Sequence, residues 1–343
     1  MHPYGKILTI MTQADTKAFP SPPSLVKSLL AGFDTISNHI GLIFFGVVLD
    51  MFLWLGPQIR LEKLLQTFLG WTTFNPDLQT QEVADLMDAN REALLMLGER
   101  VNLLTILRTF PIGVPSLMFG RSPGLNPMGE SLTWQVPSFG AALALWIGLL
   151  LIGLLGGTFY FKVVAQAALN GKVEWFHTIK DCPWHFLQVV QLSLLWLAII
   201  FAISIPLACV LPFILTGGGS LGTFILVGYG VLLVWLLMPL IFAPHGIFAN
   251  RSSMWPSVVQ GARLTRLTLP ASGLFFLTAI ILSQGMDLLW SKTDEISWLT
   301  TIGIIGHAFI TTSLIAASFV YYRDANNWMQ RMMQKAKLTS IKT

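Results

Sequence analysis

The chain has 343 residues, 54% hydrophobic and only 11% charged, with a mean hydropathy of +0.66. Soluble domains carry roughly 25% charged residues, so the composition excludes a soluble globular protein and specifies an integral membrane protein. Two cysteines exclude a disulfide framework, and a net charge of +4 follows from lysine and arginine gathered on one side of a membrane, with no nucleic-acid partner required.

Met1 to Ser24 has neither a continuous apolar core nor a small-residue cleavage pattern, so it reads as a mature tail and not a signal peptide. Six membrane spans are then predicted, at about residues 37–57, 138–163, 186–214, 221–247, 267–290 and 296–322. Each is long enough to cross a ~30 Å hydrocarbon core at roughly 1.5 Å per residue. Around them the chain divides into a cytoplasmic tail and interfacial helix (1–36), the first span (37–57), an external helical insertion (58–137), five further spans with interfacial elbows (138–322) and a basic cytoplasmic tail (323–343).

The best-defined unit is Arg251 to Trp328, an amphipathic elbow followed by a transmembrane hairpin. Trp255, Val258, Val259 and Ala262 share one helical stripe, with Arg251, Arg263 and Arg266 beside it. Ser291 to Glu295 turns the hairpin, and Trp290, Trp298, Tyr321 and Tyr322 mark the interfaces. The pattern recurs before span one, where Val26, Leu29, Leu30 and Phe33 lie beside Lys27, and before span three, where Val173, Phe176 and Ile179 lie near Lys172 and Lys180. The chain therefore reads as three parallel elbow-plus-hairpin units. Fourteen of the 21 positive residues fall on the elbow side, while the two short opposite loops hold only Lys292, which predicts cytoplasmic termini in the cell inner membrane.

The first unit carries the insertion, whose six positive and eight negative side chains give −2. Thr80 to Thr109 is predicted as its main helix, with Val83, Leu86, Leu94, Leu97, Val101, Leu104 and Leu107 as the apolar stripe and Pro111 as the stop. Residues 111–137 hold five prolines and four glycines and read as an irregular loop. The whole is expected to form a cap resting on the outer membrane face or on a partner.

Charge inside a span costs about 2.5–3.5 kcal/mol even on the mildest scale, so intramembrane polar residues are the candidate site. Asp50, about 10 Å inside the outer end of span one, is either an ion or proton ligand or a carboxylate satisfied by a neighbouring helix or the cap; the second is the simpler reading. His307, near the middle of span six beside Gly303, Gly306, Thr311 and Thr312, is either a titrating ligand or a neutral histidine bonded across helices, and again the second is simpler. Asp287 lies near enough to the outer end to be solvated, and Gln188, Gln191 and Gln284 read as interhelical hydrogen bonds. Gly153 and Gly157 make a small-residue face in span two for close backbone approach, and Pro206, Pro212, Pro239 and Pro244 should kink spans three and four.

Apparent catalytic and metal motifs lack their scaffolds. Gly120 to Gly124 has the letters G-x-S-x-G without a preceding strand or a following helix. His177, Cys182 and His185 lack a fourth zinc ligand, and no cofactor motif is present. The elbow "WPSVVQGARLTRLTLPASGLFFL" and the hairpin end "AASFVYYRDANNW" resemble the bacterial YciC-like families and the membrane domain that accompanies some glycerophosphodiester phosphodiesterases, over about residues 138–328. That resemblance implies a six-helix bundle with basic amphipathic leaders and carries over no catalytic residue.

The expectation is an all-α polytopic protein acting without catalysis as a module that binds a protein or lipid partner. Lys27, Lys172, Lys180, Arg263 and Arg266 would engage anionic lipid. The alternative is a transporter or channel for a small or lipophilic substrate, with Asp50, His307 and the kinked spans lining the path. An intramembrane hydrolase would need a nucleophile paired with a base, and the spans offer none.

Overall fold

A computed structural model describes residues 23–71, 88, 91–92, 94–96, 98, 101–119, 121, 125–216, 219–294 and 296–342. The N-terminal tail to residue 22, most of the predicted insertion helix, and the G-x-S-x-G letters apart from Arg121 lie outside them. The chain is an all-α membrane protein. Its helices are α1 (Leu25–Asn38), α2 (Phe44–Leu55), α3 (Glu62–Trp71), α4 (Phe139–Asn170), α5 (Trp175–Thr216), α6 (Gly219–Leu237), α7 (Ala243–Asn250), α8 (Met254–Trp290) and α9 (Thr300–Lys342). Five segments are long and apolar enough to cross a membrane: Phe139–Asn170, Trp175–Cys209, Gly222–Asn250, Met254–Trp290 and Thr300–Gln334. The pair Leu25–Asn38 and Ile40–Leu55, bent by 93°, is long and apolar enough only when taken together, as a broken span or a re-entrant turn, which brings the number to five or six.

The last helix is the pillar of the bundle. Within the most apolar stretch of α9, 67% is buried inside the protein, against 6–17% for the other four long segments. Small residues explain why neighbours can surround it. Ala308, Ala316, Ala317 and Ser313 are all buried, and a Cβ on Gly32 of α1 would stand 2.5 Å from both the Ala317 Cβ and the Ser313 carbonyl. Without a hydrophobic force between lipid-solvated helices, such backbone contact is what holds them together.

That contact corrects the reading of the first elbow. Leu25 and Leu29 pack beside Ala325 and Met329, Gly32 meets Ala317, and the Phe33 ring is 5.9 Å from Phe309, so α1 follows α9 lengthwise. The 12 residues of α2 reach only ~18 Å, too little for a ~30 Å core. The expected first span is therefore not one straight helix: the chain breaks at Ile40–Ile43, and the expected elbow packs along the bundle as α1. The other two elbows run on into their spans, α5 without interruption in its helix assignment and α8 across a kink at Thr268 (φ −117°, ψ 17°). Pro239 lies in the 3-10 turn Met238–Leu240 and Pro244 in the first turn of α7, so span four is broken where proline predicts. Span six starts at Thr300 and not at 296, and the basic tail continues α9 through Lys342.

All three leaders turn the same way. One edge of each apolar stripe faces outward, with Val26 and Leu30 each 60% exposed, Phe176 84% and Trp255 62%, while Leu29, Val173 and Val258 pack against the core. Their small and polar faces pack inward: Ser28 and Gly32 in α1, Thr178, His185 and Gln188 in α5, Ser257, Gly261 and Thr265 in α8. This inversion of the soluble pattern fits segments whose surroundings are lipid. Lys27, Lys172, Lys180, Arg263 and Arg266 are exposed beside the stripes.

The described parts of the insertion do not all stay at the surface. Its two ends are tied together, Gln58–Arg60 pairing in parallel with Thr133–Gln135, and Leu125–Asn126 pairs with Gly129–Glu130. Between them, Leu103–Arg108 is a 3-10 helix capped by Asn102, so the predicted helix does not reach Thr109. The following loop enters the bundle. Ile112 is fully buried in one cluster with Ile36, Tyr160 and Val164, and a Cβ on Gly157 would lie 2.7 Å from the Gly113 Cα. The small face Gly153–Gly157 thus receives this loop and not another helix. Irregular backbone at such depth survives only where protein satisfies it.

Candidate functional site

Asp50 supplies that satisfaction. It is fully buried on α2, and its carboxylate accepts from the Ser116 hydroxyl, from the Leu117 N–H at 2.9 Å and from the Met118 N–H at 3.2 Å. Gly46, one helical turn away on the same helix, makes room for the loop: a Cβ there would stand 3.1 Å from the Ala308 Cβ and 3.7 Å from the Pro115 carbonyl. The carboxylate is therefore satisfied by the insertion, as the simpler of its two readings expects.

His307 is not mid-span. It lies seven residues, about 10 Å, from the start of α9, and its Nδ1 is 2.6 Å from Oδ1 of Asp287 on α8. Asp287 is accordingly not a freely solvated carboxylate, since its side chain is 25% exposed and bonded across helices. His307 is bonded across helices as the simpler reading expects, yet its Nε2 is buried with no hydrogen-bond partner among the described residues.

The re-entrant loop adds a residue that the sequence did not single out. Arg108 lies with Asp287 and His307 on the wall of a cavity of about 310 Å3 between α8 and α9. Its guanidinium stands 4.3 Å over the Phe119 ring. Desolvation lowers its pKa, opposed by the nearby carboxylates of Asp287 and then Asp50. A second cavity of about 250 Å3 adjoins the first, sharing Arg108, Gln284 and Asp287 and adding Arg121 and Ser116. The only sequence signal for Arg108 was a cation at the end of an apolar stretch, which is common in any external helix.

At the opposite end the basic residues do not converge. Lys172 pairs with Glu174 at 2.7 Å, an exposed bridge in which each partner's hydrogen bond and charge raise the lysine pKa and lower the glutamate pKa. Arg263 borders a separate cavity of about 320 Å3 where Gln260 donates to Asn326 at 2.9 Å. His185 is occupied by Lys162 at 3.3 Å and by the Asp181 carbonyl at 2.9 Å, and Asp181 meets Arg251 at 3.2 Å. Among the described residues no three metal-ligating side chains gather.

The cap-end site thus joins a buried imidazole–carboxylate pair, an arginine with no hydrogen bond or ion pair among the described residues, and an apolar groove beneath them. It can hold an anion next to hydrocarbon. Comparison with protein-family models, curated proteins and solved structures found no match to this chain.

Proposed function

We propose that this chain is a non-catalytic membrane module that binds anionic lipid. The observation that carries the reading is the common orientation of the three leaders. Each turns exposed apolar residues outward, Val26 and Leu30, Phe176 and Ile179, Trp255 and Val259, with basic residues beside them, an arrangement that suits hydrocarbon at the acyl boundary with lysine and arginine at headgroups. The excess of lysine and arginine at that end supports a cytoplasmic orientation for it and for both termini in the cell inner membrane, with the insertion on the other side.

The test is native mass spectrometry of protein extracted in mild detergent, comparing the wild type with a variant in which Lys27, Lys172, Lys180, Arg263 and Arg266 are all glutamate. Wild type should keep more phosphatidylglycerol than the variant. Equal retention sinks the reading, and a stoichiometric protein mass in place of lipid would reassign the module to a protein partner.

A second reading, transport of a lipophilic substrate, is favoured by one observation: irregular backbone enters the bundle beside a cavity that reaches His307. Substrate flux in proteoliposomes that vanishes in His307→Ala would support it.

A further inference from the structure

The cavity between α8 and α9 is long and two-faced. It follows α8 from Asp287 to Phe275 and α9 from His307 to Ser318, roughly 16–18 Å at ~1.5 Å per residue. Its deep wall is apolar, with Phe275, Phe276, Leu314 and Ile315, whereas its cap end carries Arg108, Gln284, Asp287 and His307. Ile280, 57% exposed, stands on the rim, so the groove opens sideways toward the bilayer. A volume of about 310 Å3 matches the lower range of small-ligand sites, about 300–1,000 Å3.

Charge identifies the occupant. Arg108 has no hydrogen bond or ion pair among the described residues, and the ring of Phe119 covers only the face of its guanidinium, leaving the N–H edge for an oxyanion. Arg121 lines the adjoining cavity. Asp287, the single carboxylate on these two walls among the described residues, is held by His307, and the Asp50 carboxylate that also acts on Arg108 is held by Ser116, Leu117 and Met118, so both negative charges are engaged. His307 is 4% exposed and its Nε2 has no hydrogen-bond partner among the described residues. With Nδ1–H donating to Asp287, a neutral ring leaves Nε2 as an acceptor that a headgroup hydroxyl would satisfy.

We propose that this groove binds one anionic membrane lipid, its phosphate at Arg108 and one acyl chain lying along α8 and α9. The assignment rests on the lipid-binding reading but puts this lipid at the end of the bundle opposite the basic leaders, so the two fail separately.

The experiment is native mass spectrometry of delipidated protein titrated with phosphatidylglycerol or phosphatidylcholine, for the wild type, Arg108→Gln, Ile280→Trp and a Lys27→Glu, Arg263→Glu, Arg266→Glu variant. Ile280 is exposed, so the tryptophan fills the groove mouth without disturbing the core. Arg108→Gln should bind phosphatidylglycerol about tenfold more weakly, the loss expected for one charge-assisted contact, and lose the preference over phosphatidylcholine. Ile280→Trp should weaken both lipids, and the triple variant should keep one tightly held phosphatidylglycerol. If Arg108→Gln and Ile280→Trp bind as wild type while the triple variant loses all lipid, the groove is refuted and the module reading stands. Equal binding of both lipids by wild type refutes the headgroup assignment, and no lipid retained by any form refutes both.

Discussion

Removing the Asp50 carboxylate should release the loop that carries Arg108. Burying that charge costs about 2.5–3.5 kcal/mol, and three hydrogen bonds to an ionised group return about 1.5–3 kcal/mol each, so the carboxylate is a net clamp of roughly 3 kcal/mol. Asp50→Ala leaves the Leu117 and Met118 amides buried without acceptors, while the Ser116 hydroxyl can rotate to another partner. Hydrogen exchange is the assay, because local opening sets the rate at which these amides exchange. A loss of about 3 kcal/mol corresponds to roughly hundredfold faster exchange at Leu117 and Met118, with amides in the middle of α9 unchanged. Asp50→Asn, which keeps one acceptor oxygen and adds two donors, should fall between. Unchanged protection at both amides in Asp50→Ala would refute the clamp.

Other contacts give equally direct expectations. Gly32→Leu should cost about 1–3 kcal/mol by overpacking, since the first added atom already meets the α9 backbone, and thermal unfolding in detergent reads it. Gly157→Leu should push the Ile112–Gly113 turn out of the bundle, seen as faster limited proteolysis within residues 103–121 while α4 stays intact. His307→Leu leaves the Asp287 carboxylate without its cross-helix partner, destabilising by about 1–3 kcal/mol; a melting temperature equal to wild type would refute that pair. Lys172→Ala removes only a fully exposed bridge to Glu174 and should leave the melting temperature unchanged, so any lipid lost in that variant reports binding and not unfolding.

Parts of the site were legible because they are rare and costly. An aspartate and a histidine inside apolar spans stand out in any sequence, and the simpler reading of each, a satisfied carboxylate and a cross-helix histidine, agrees with the contacts of Asp50 and His307. Their partners were not legible. Ser116, Leu117 and Met118 belong to a proline-rich stretch that looks like a surface loop, and Asp287 looked solvated because it is close to a helix end. Arg108 looked like one of the insertion's ordinary charges. Nothing local distinguishes a loop that returns into the bundle from one that stays outside, since the deciding feature is the glycine face of α4 that receives it.

The sequence by itself determined the membrane class, the approximate place of the long apolar helices and the end of the chain's hairpins at which positive charge gathers. Each follows from the cost of putting polar groups into hydrocarbon, a cost set residue by residue. It could not determine which face of each helix meets protein, because lipid and protein interior are both apolar and the usual amphipathic cue loses its sign. Thus the stripes of Val26 and Leu30 or of Trp255 and Val259 were visible, but only the tertiary structure decided that they point outward while Ser28, Gly32, Ser257 and Gly261 pack inward. The sharp bend between α1 and α2, the entry of Ile112 between helices and the meeting of Arg108 with Asp287 and His307 all depend on contacts between distant parts of the chain, which packing selects and local pattern does not encode.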